Sequence, residues 1–176
     1  QHEPGITRED RLLAVTTISF DIAGLELYLP LISGAELILA DKESARDAKK
    51  LLKLMEVEQV TIMQATPATW RMLINAGWDT KKSLKVLCGG ESFPKDLAEK
   101  LLRLSSEVWN MYGPTETTIW STVKRLHANE LNTITVGSPI ANTSVYVLDE
   151  NLNPVPHGET GQLFIGGAGV ARGYHG

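Results

Sequence analysis

The chain has 176 residues, 43% hydrophobic, 22% charged and 6% aromatic, with 17 Lys and Arg against 21 Asp and Glu for a net charge of −4. That is enough for one domain with a core of its own, and it excludes a coiled coil or a disordered tail. The acidic balance, with no basic block, lacks the electrostatic footprint of a nucleic-acid binder.

Taken in chain order, the segment Gln1 to Asp10 is polar and has neither an initiating Met nor an apolar signal core. No apolar run reaches the ~20 residues of a membrane span, so no membrane partner is expected. The missing Met suggests an excised or processed piece. From Leu12 to Met111, short apolar β-branched runs alternate with segments of helical period, the pattern of a parallel sheet covered by helices on both faces. The class is α/β. Strands are predicted at Leu12 to Thr16, Glu36 to Ala40, Val60 to Gln64, Leu84 to Cys88 and Glu107 to Met111, apolar enough to be buried on both sides. Ser44 with Asp47 predicts a helix N-terminal box, followed by the stripe Ala48, Leu51, Leu52 and Met55 opposite Lys49, Lys50 and Lys53. Pro67 opens a second helix that ends near Gly77, and Pro94 a third with Leu97, Leu101 and Leu104 on one face. After about Thr122 the pattern changes. Gly, Pro and Asn then punctuate short runs such as Ser144 to Leu148 and Leu163 to Ile165, which predicts a small antiparallel β segment. The glycine-rich turn Gly166 to Gly176 has no element after it to pack against, as at an unnatural end.

The single cysteine, Cys88, cannot form an internal disulfide, and no Cys and His cluster at zinc-ligand spacing. A reducing, cytoplasmic setting is expected. His2, His127, His157 and His175 lack partners in sequence and read as surface residues, and no Gly-x-Ser-x-Gly elbow supports a hydrolase. Trp70, Trp78 and Trp109 read as packing.

In an open parallel sheet, ligands sit beyond the carboxyl ends of the strands. Four junctions fall there and should converge on one edge: Phe20-Asp21, Gln64 to Pro67, Cys88 to Glu91, and Asn110 to Glu116. Gly89-Gly90 admits a ligand against the backbone, or simply makes a tight turn. Asn110 to Glu116 gathers a planar amide, an aromatic face, a Gly-Pro turn, a hydroxyl and a carboxylate in one stretch. These groups could stack a base, bond its edge, hold a phosphate oxygen and ligate magnesium, or simply form a turn with an N-cap threonine. Asp21 lies in the apolar stretch Ile18 to Ile32, where its carboxylate must meet a cation or cap a helix.

At these residues the sequence resembles the adenylation domains of non-ribosomal peptide synthetases, within the adenylate-forming superfamily that includes acyl-CoA ligases and luciferases. The resemblance spans nearly the whole chain. Thr17 to Asp21 looks like the family's Phe-Asp motif, and Asn110 to Glu116 is identical to its Asn-x-Tyr-Gly-Pro-Thr-Glu motif. Gly161 to Tyr174 matches a third, departing where Gln162 replaces the usual Glu. The resemblance implies a flavodoxin-like subdomain over residues 1–122 and a truncated β-barrel subdomain over residues 123–176. It also implies that the phosphate loop should precede Gln1, and that the ribose-binding motif and C-terminal lysine should follow Gly176. Such an internal fragment should be inactive by itself.

The implied reaction joins an amino acid to ATP, releases pyrophosphate and passes the aminoacyl adenylate to the phosphopantetheine thiol of a carrier protein. By resemblance Tyr112 stacks on adenine, Asn110 bonds its amino edge, and Gly90, Glu91 and Gly113 line the nucleoside. Thr115 bonds a phosphate oxygen and Glu116 holds Mg2+, the two residues given catalytic roles. The implied amino acid pocket is Asp21, Ile22, Leu25, Gln64, Leu87, Gly89, Met111, Ile119 and Trp120, with Asp21 taking the substrate's ammonium group. Its large side chains fill the space of a substrate side chain, which points to glycine. Two alternatives stay open: a binding module that holds an amino acid or nucleotide without chemistry, and a fragment of an acyl- or aryl-acid ligase, against which Asp21 argues.

Overall fold

Five apolar strands run parallel through the centre of the protein, as the alternation of short β-branched runs and helical segments requires. The computed structural model describes residues 3–175, so His2 lies outside the described residues. The strands are β1 (Arg11–Ala14), β2 (Glu36–Leu39), β3 (Ile62–Ala65), β4 (Lys85–Gly89) and β5 (Glu107–Tyr112), joined by α1 (Ile22–Ser33), α2 (Ala48–Val57), α3 (Pro67–Asn75) and α4 (Lys95–Leu104). Two further strands, β6 (Thr122–Arg125) and β7 (Ser138–Pro139), add antiparallel to β5, giving the order β2-β1-β3-β4-β5-β6-β7. The sheet thus continues past residue 122 as far as Pro139. A separate antiparallel pair, β8 (Thr143–Leu148) and β9 (Gln162–Gly167), follows it.

The order 2-1-3-4-5 is the flavodoxin-like arrangement, whose topological switch point lies between β1 and β3. Because the crossover from β1 to β2 runs one way across the sheet and those from β2 to β5 run the other, right-handed connections put α1 on one face and α2, α3 and α4 on the other. Each face has its own core. Leu13, Met63, Val86 and Val108 meet Leu51, Leu73, Leu97 and Leu101 on the three-helix face. Leu12, Ile62, Leu87, Trp109 and Met111 point the other way, toward α1 and Trp120. This is the alternation of a pleated strand, and each fully buried aliphatic side chain contributes about 1.5–3 kcal/mol. Trp70, Trp78 and Trp109 are buried in these cores, whereas His127, His157 and His175 are exposed.

Three local features differ from the sequence reading. The first is α1, which carries no polar face to reveal a helical period and contains Pro30 near its end. Its stop is Gly34, left-handed at φ 72°, whose N–H bonds Pro30 O. The second is the cap of α2, which is Asp47 rather than Ser44. The Asp47 carboxylate accepts from Lys49 N and Lys50 N, while Ser44 belongs to a preceding 3-10 turn and its hydroxyl donates to Asp41. The third is the end of β1, at Ala14 rather than Thr16, because the N–H groups of Val15 and Thr16 donate to the Glu26 carboxylate instead of to a strand.

Candidate functional site

Parallel strands deliver their carboxyl ends to one edge, so the segments after β1, β3, β4 and β5 converge there. The register then sorts their side chains by face. Gln64 pairs with Leu87, Leu87 with Trp109, and Gly89 with Met111. These residues all face α1. Trp120 closes over this row. A Cβ on Gly89 would run into its ring and the Met111 carbonyl oxygen. Ile22, Leu25 and Ile119 pack against the same cluster. Thr118 and Ile119 are both left-handed, at φ 61° and 69°, a conformation costly for β-branched residues that turns the chain back so that Trp120 enters the core. A cavity of about 570 Å³ opens beneath, with Leu25, Leu87, Met111 and Trp120 in its wall.

Asp21 caps α1. Its Oδ1 accepts the N–H of Ile22 at 2.8 Å, and among the described residues it makes no ion pair. The helix-cap alternative is therefore the one realised within the protein, and Asp21 is half-buried at the start of α1.

A second cavity, of about 450 Å³, is lined by Gly90, Glu91, Asn110, Tyr112 and Gly113, and shares Met111 with the first. Tyr112 is 37% exposed, leaving an aromatic face open. Asn110 is buried, and its Nδ2 donates to Thr135 O at 2.9 Å, which leaves Oδ1 as its acceptor. Gly90 makes the turn at φ 82°, where a side chain would be strained.

Thr115 and Glu116 stand exposed in a 3-10 turn beyond β5. The glycine-rich turn after β9 folds back onto this segment. Ala171 N donates to Glu116 O at 2.7 Å, Thr118 Oγ1 to Gly169 O at 2.7 Å, and Tyr174 OH to Glu116 Oε1 at 3.0 Å. That bond raises the Tyr174 pKa, helped by the charges of Glu116 and Asp21, so both carboxylates stand near one phenol. Among the described residues no three His, Cys, Asp or Glu gather as a metal site. Among the described residues the exposed Glu116 carboxylate is engaged only by the neutral Tyr174 hydroxyl, and an open carboxylate of this kind would suit a magnesium ion.

One buried group escaped the sequence reading. Glu26, on α1, has no exposed surface. Its Oε2 accepts from Val15 N and Thr16 N, both at 2.9 Å, and its Oε1 from Thr16 Oγ1 at 2.6 Å and Gln64 Nε2 at 3.3 Å. Gln64 Oε1 in turn accepts from Trp120 Nε1 at 2.7 Å. Burial pushes the Glu26 carboxyl up, against the opposing pull of those hydrogen bonds. The signal available in sequence was a second carboxylate in the apolar stretch, one helical turn after Ile22.

The sequence profile of the family described as AMP-binding enzyme matches residues 1–175. A dimodular nonribosomal peptide synthase of Bacillus subtilis (strain 168) is 51% identical over 166 residues, covering 94% of this chain and 7% of the relative. The PKS-NRPS hybrid synthetase acdB of Aspergillus candidus is 47% identical over 172 residues, covering 97% and 7%. The chain thus spans a small fraction of the length of these relatives. Among solved structures, holo-AB3403, a four domain nonribosomal peptide synthetase bound to AMP and glycine, superposes with a TM-score of 0.93 at 43% identity, over 98% of this chain and 13% of that one.

Proposed function

The chain belongs to the AMP-binding enzyme family, and from that premise we propose that it is the substrate-selecting part of an adenylation domain that activates an amino acid, glycine first among them. In the reaction, an amino acid carboxylate oxygen forms a bond to the α-phosphorus of ATP. The bond from that phosphorus to the bridging oxygen breaks, and pyrophosphate leaves with the electron pair. The observation that carries the reading is a pair of adjoining cavities with Met111 in both walls: Gly90, Asn110 and Tyr112 line one, Leu25, Leu87 and Trp120 the other. A nucleotide in the second and a small amino acid at the first would bring their reacting ends together, which is the positioning that such a reaction needs.

In this reading the open face of Tyr112 stacks on adenine and Asn110 Oδ1 accepts from its amino group. Gly90, Glu91 and Gly113 line the nucleoside. Thr115 donates its hydroxyl to a phosphate oxygen and Glu116 holds the magnesium ion. That ion would supply positive charge to the phosphate oxygens. Asp21 receives the substrate ammonium as a charge-assisted pair. Ile22, Leu25, Gln64, Leu87, Met111, Ile119 and Trp120 fill the volume beyond the α-carbon; the charged groups beside them are Glu26, tied to Gln64, and Glu3 and Lys85 in the wall of the first cavity. The bound AMP and glycine of holo-AB3403 support this assignment. The carrier protein whose phosphopantetheine thiol takes the aminoacyl group, and the flanking parts that complete the domain, belong to the same proposal. So does the division into a flavodoxin-like unit and a partial β-barrel.

Amino-acid-dependent exchange of labelled pyrophosphate into ATP tests the reading, with this segment set between adenylation-domain flanks and the common amino acids offered singly. Exchange driven by glycine alone is expected. Preference for a larger amino acid would refute the glycine assignment, and exchange with none in a folded protein would refute amino acid activation.

A further inference from the structure

Glu26 has no part in the chemistry above, yet it is a wholly buried carboxylate that accepts four hydrogen bonds. Among the described residues no ion pair includes it. An apolar side chain of similar volume would avoid the desolvation cost but would leave the N–H groups of Val15 and Thr16 and the Gln64 amide without their acceptor, so packing alone does not account for it.

What an apolar residue cannot do is orient an amide. The Gln64 side chain has a donor end and an acceptor end, and the Trp120 indole N–H is a donor only. Trp120 can therefore be held only if the Gln64 oxygen faces it, which requires the Gln64 NH2 group to face an acceptor. Glu26 is that acceptor. Its other oxygen is tied to the backbone of Val15 and Thr16, so it also secures the chain that leads into Asp21. At the far end of the relay the indole lies over Gly89, where it closes the space beyond the substrate α-carbon.

We propose that Glu26 is a positioning residue for amino acid selection: through Gln64 it orients and holds the Trp120 ring over Gly89, and so sets the size of the pocket. The proposal rests on the amino acid pocket inferred above. In a Glu26→Gln variant, the side-chain oxygen must face the two backbone N–H groups, which leaves NH2 toward Gln64. The Gln64 amide then reverses and sets its own NH2 against the indole N–H, two donors that repel. Glu26→Gln with Gln64→Glu restores the alternation, since the NH2 at position 26 donates to the new carboxylate, which accepts from Trp120.

The test is pyrophosphate exchange in a complete adenylation domain carrying this segment, with kcat and KM measured for glycine, alanine and ATP. Glu26→Gln should raise the alanine-to-glycine ratio of kcat/KM about tenfold, the scale of discrimination that one methyl group provides in a shaped pocket. The KM for ATP should hold. The double variant should return the ratio toward its starting value, a rescue that general loosening of the fold would not produce. Gln64→Met cuts the relay without burying a charge, and should shift the ratio in the same direction should Glu26→Gln fail to fold. An unchanged ratio in Gln64→Met, or a double variant no more selective than Glu26→Gln, overturns the proposal and leaves the pocket assignment standing. Absence of amino-acid-dependent exchange in the unmodified segment overturns both.

Discussion

The Trp120 ring lies where a side chain on Gly89 would stand, although the two residues belong to segments separated by the whole of α4 and β5. Neither an aromatic side chain at position 120 nor a glycine at position 89 means much by itself. Together they close the α1 side of the sheet at its carboxyl edge. Gly89→Ala should therefore strain the contact with Trp120 and with the Met111 carbonyl, at a cost of about 1–3 kcal/mol for an overfilled core. Denaturant unfolding measures that loss, and pyrophosphate exchange should fall with it.

Asp21 separates charge from capping. Asparagine caps helices as well as aspartate does and can keep the bond to Ile22 N. Asp21→Asn should thus leave thermal stability nearly unchanged while removing the charge offered to an ammonium group. A hydrogen bond to a charged group contributes about 1.5–3 kcal/mol, so amino acid kcat/KM should fall roughly ten- to hundredfold at unchanged KM for ATP. An acyl- or aryl-acid ligase would show no such loss with its free acid.

Cys88 is fully buried beneath the three-helix face, and burial pushes its thiol far up, with the Glu91 charge adding to the effect. The thiolate is the reactive form. A disulfide reagent at neutral pH should leave the folded protein unmodified and label one thiol after denaturation. Rapid labelling of the native protein would contradict this placement.

Glu26 also gives a signed pH dependence. Its carboxyl is raised above its ordinary value of 4.5, so between that value and the raised one the folded state holds a proton that the unfolded state releases. Stability from this group therefore falls as pH rises through that window. Asp47, held low chiefly by the backbone N–H of Lys50, acts oppositely: its contribution is present above the ordinary aspartate range and is lost as pH falls through its lowered value. Glu26→Gln should abolish only the first dependence, which denaturant midpoints from pH 4 upward in both proteins would reveal as a difference curve declining with pH.

Much of the fold was legible because its signals are local. Each parallel strand is a short apolar run, α2 carries a one-sided stripe, and Pro67 and Pro94 mark helix starts, so strands and helices fall within two residues of expectation. The compact set from Asn110 to Glu116 exposes its candidate chemistry in the same way. Helix α1 was not legible as a helix, because its exposed side is itself apolar, with Tyr28, Leu31 and Ile32 open to solvent, so no polar face gives it a period. The return of Ala171 and Tyr174 onto Glu116 joins residues 55 or more positions apart, and nothing in either segment announces the other.

By itself, then, the sequence determined the α/β class, the four strand-end segments and the residue types available at them, since periodicity and turn chemistry act over a few neighbouring residues. Only the tertiary structure decided which faces those side chains share, that Asp21 is a cap, and that Glu26, Gln64 and Trp120 form one relay. Strand register and crossover handedness bring such residues together across the sheet. A buried hydrogen bond depends on that spatial meeting, which residue spacing along the chain does not encode.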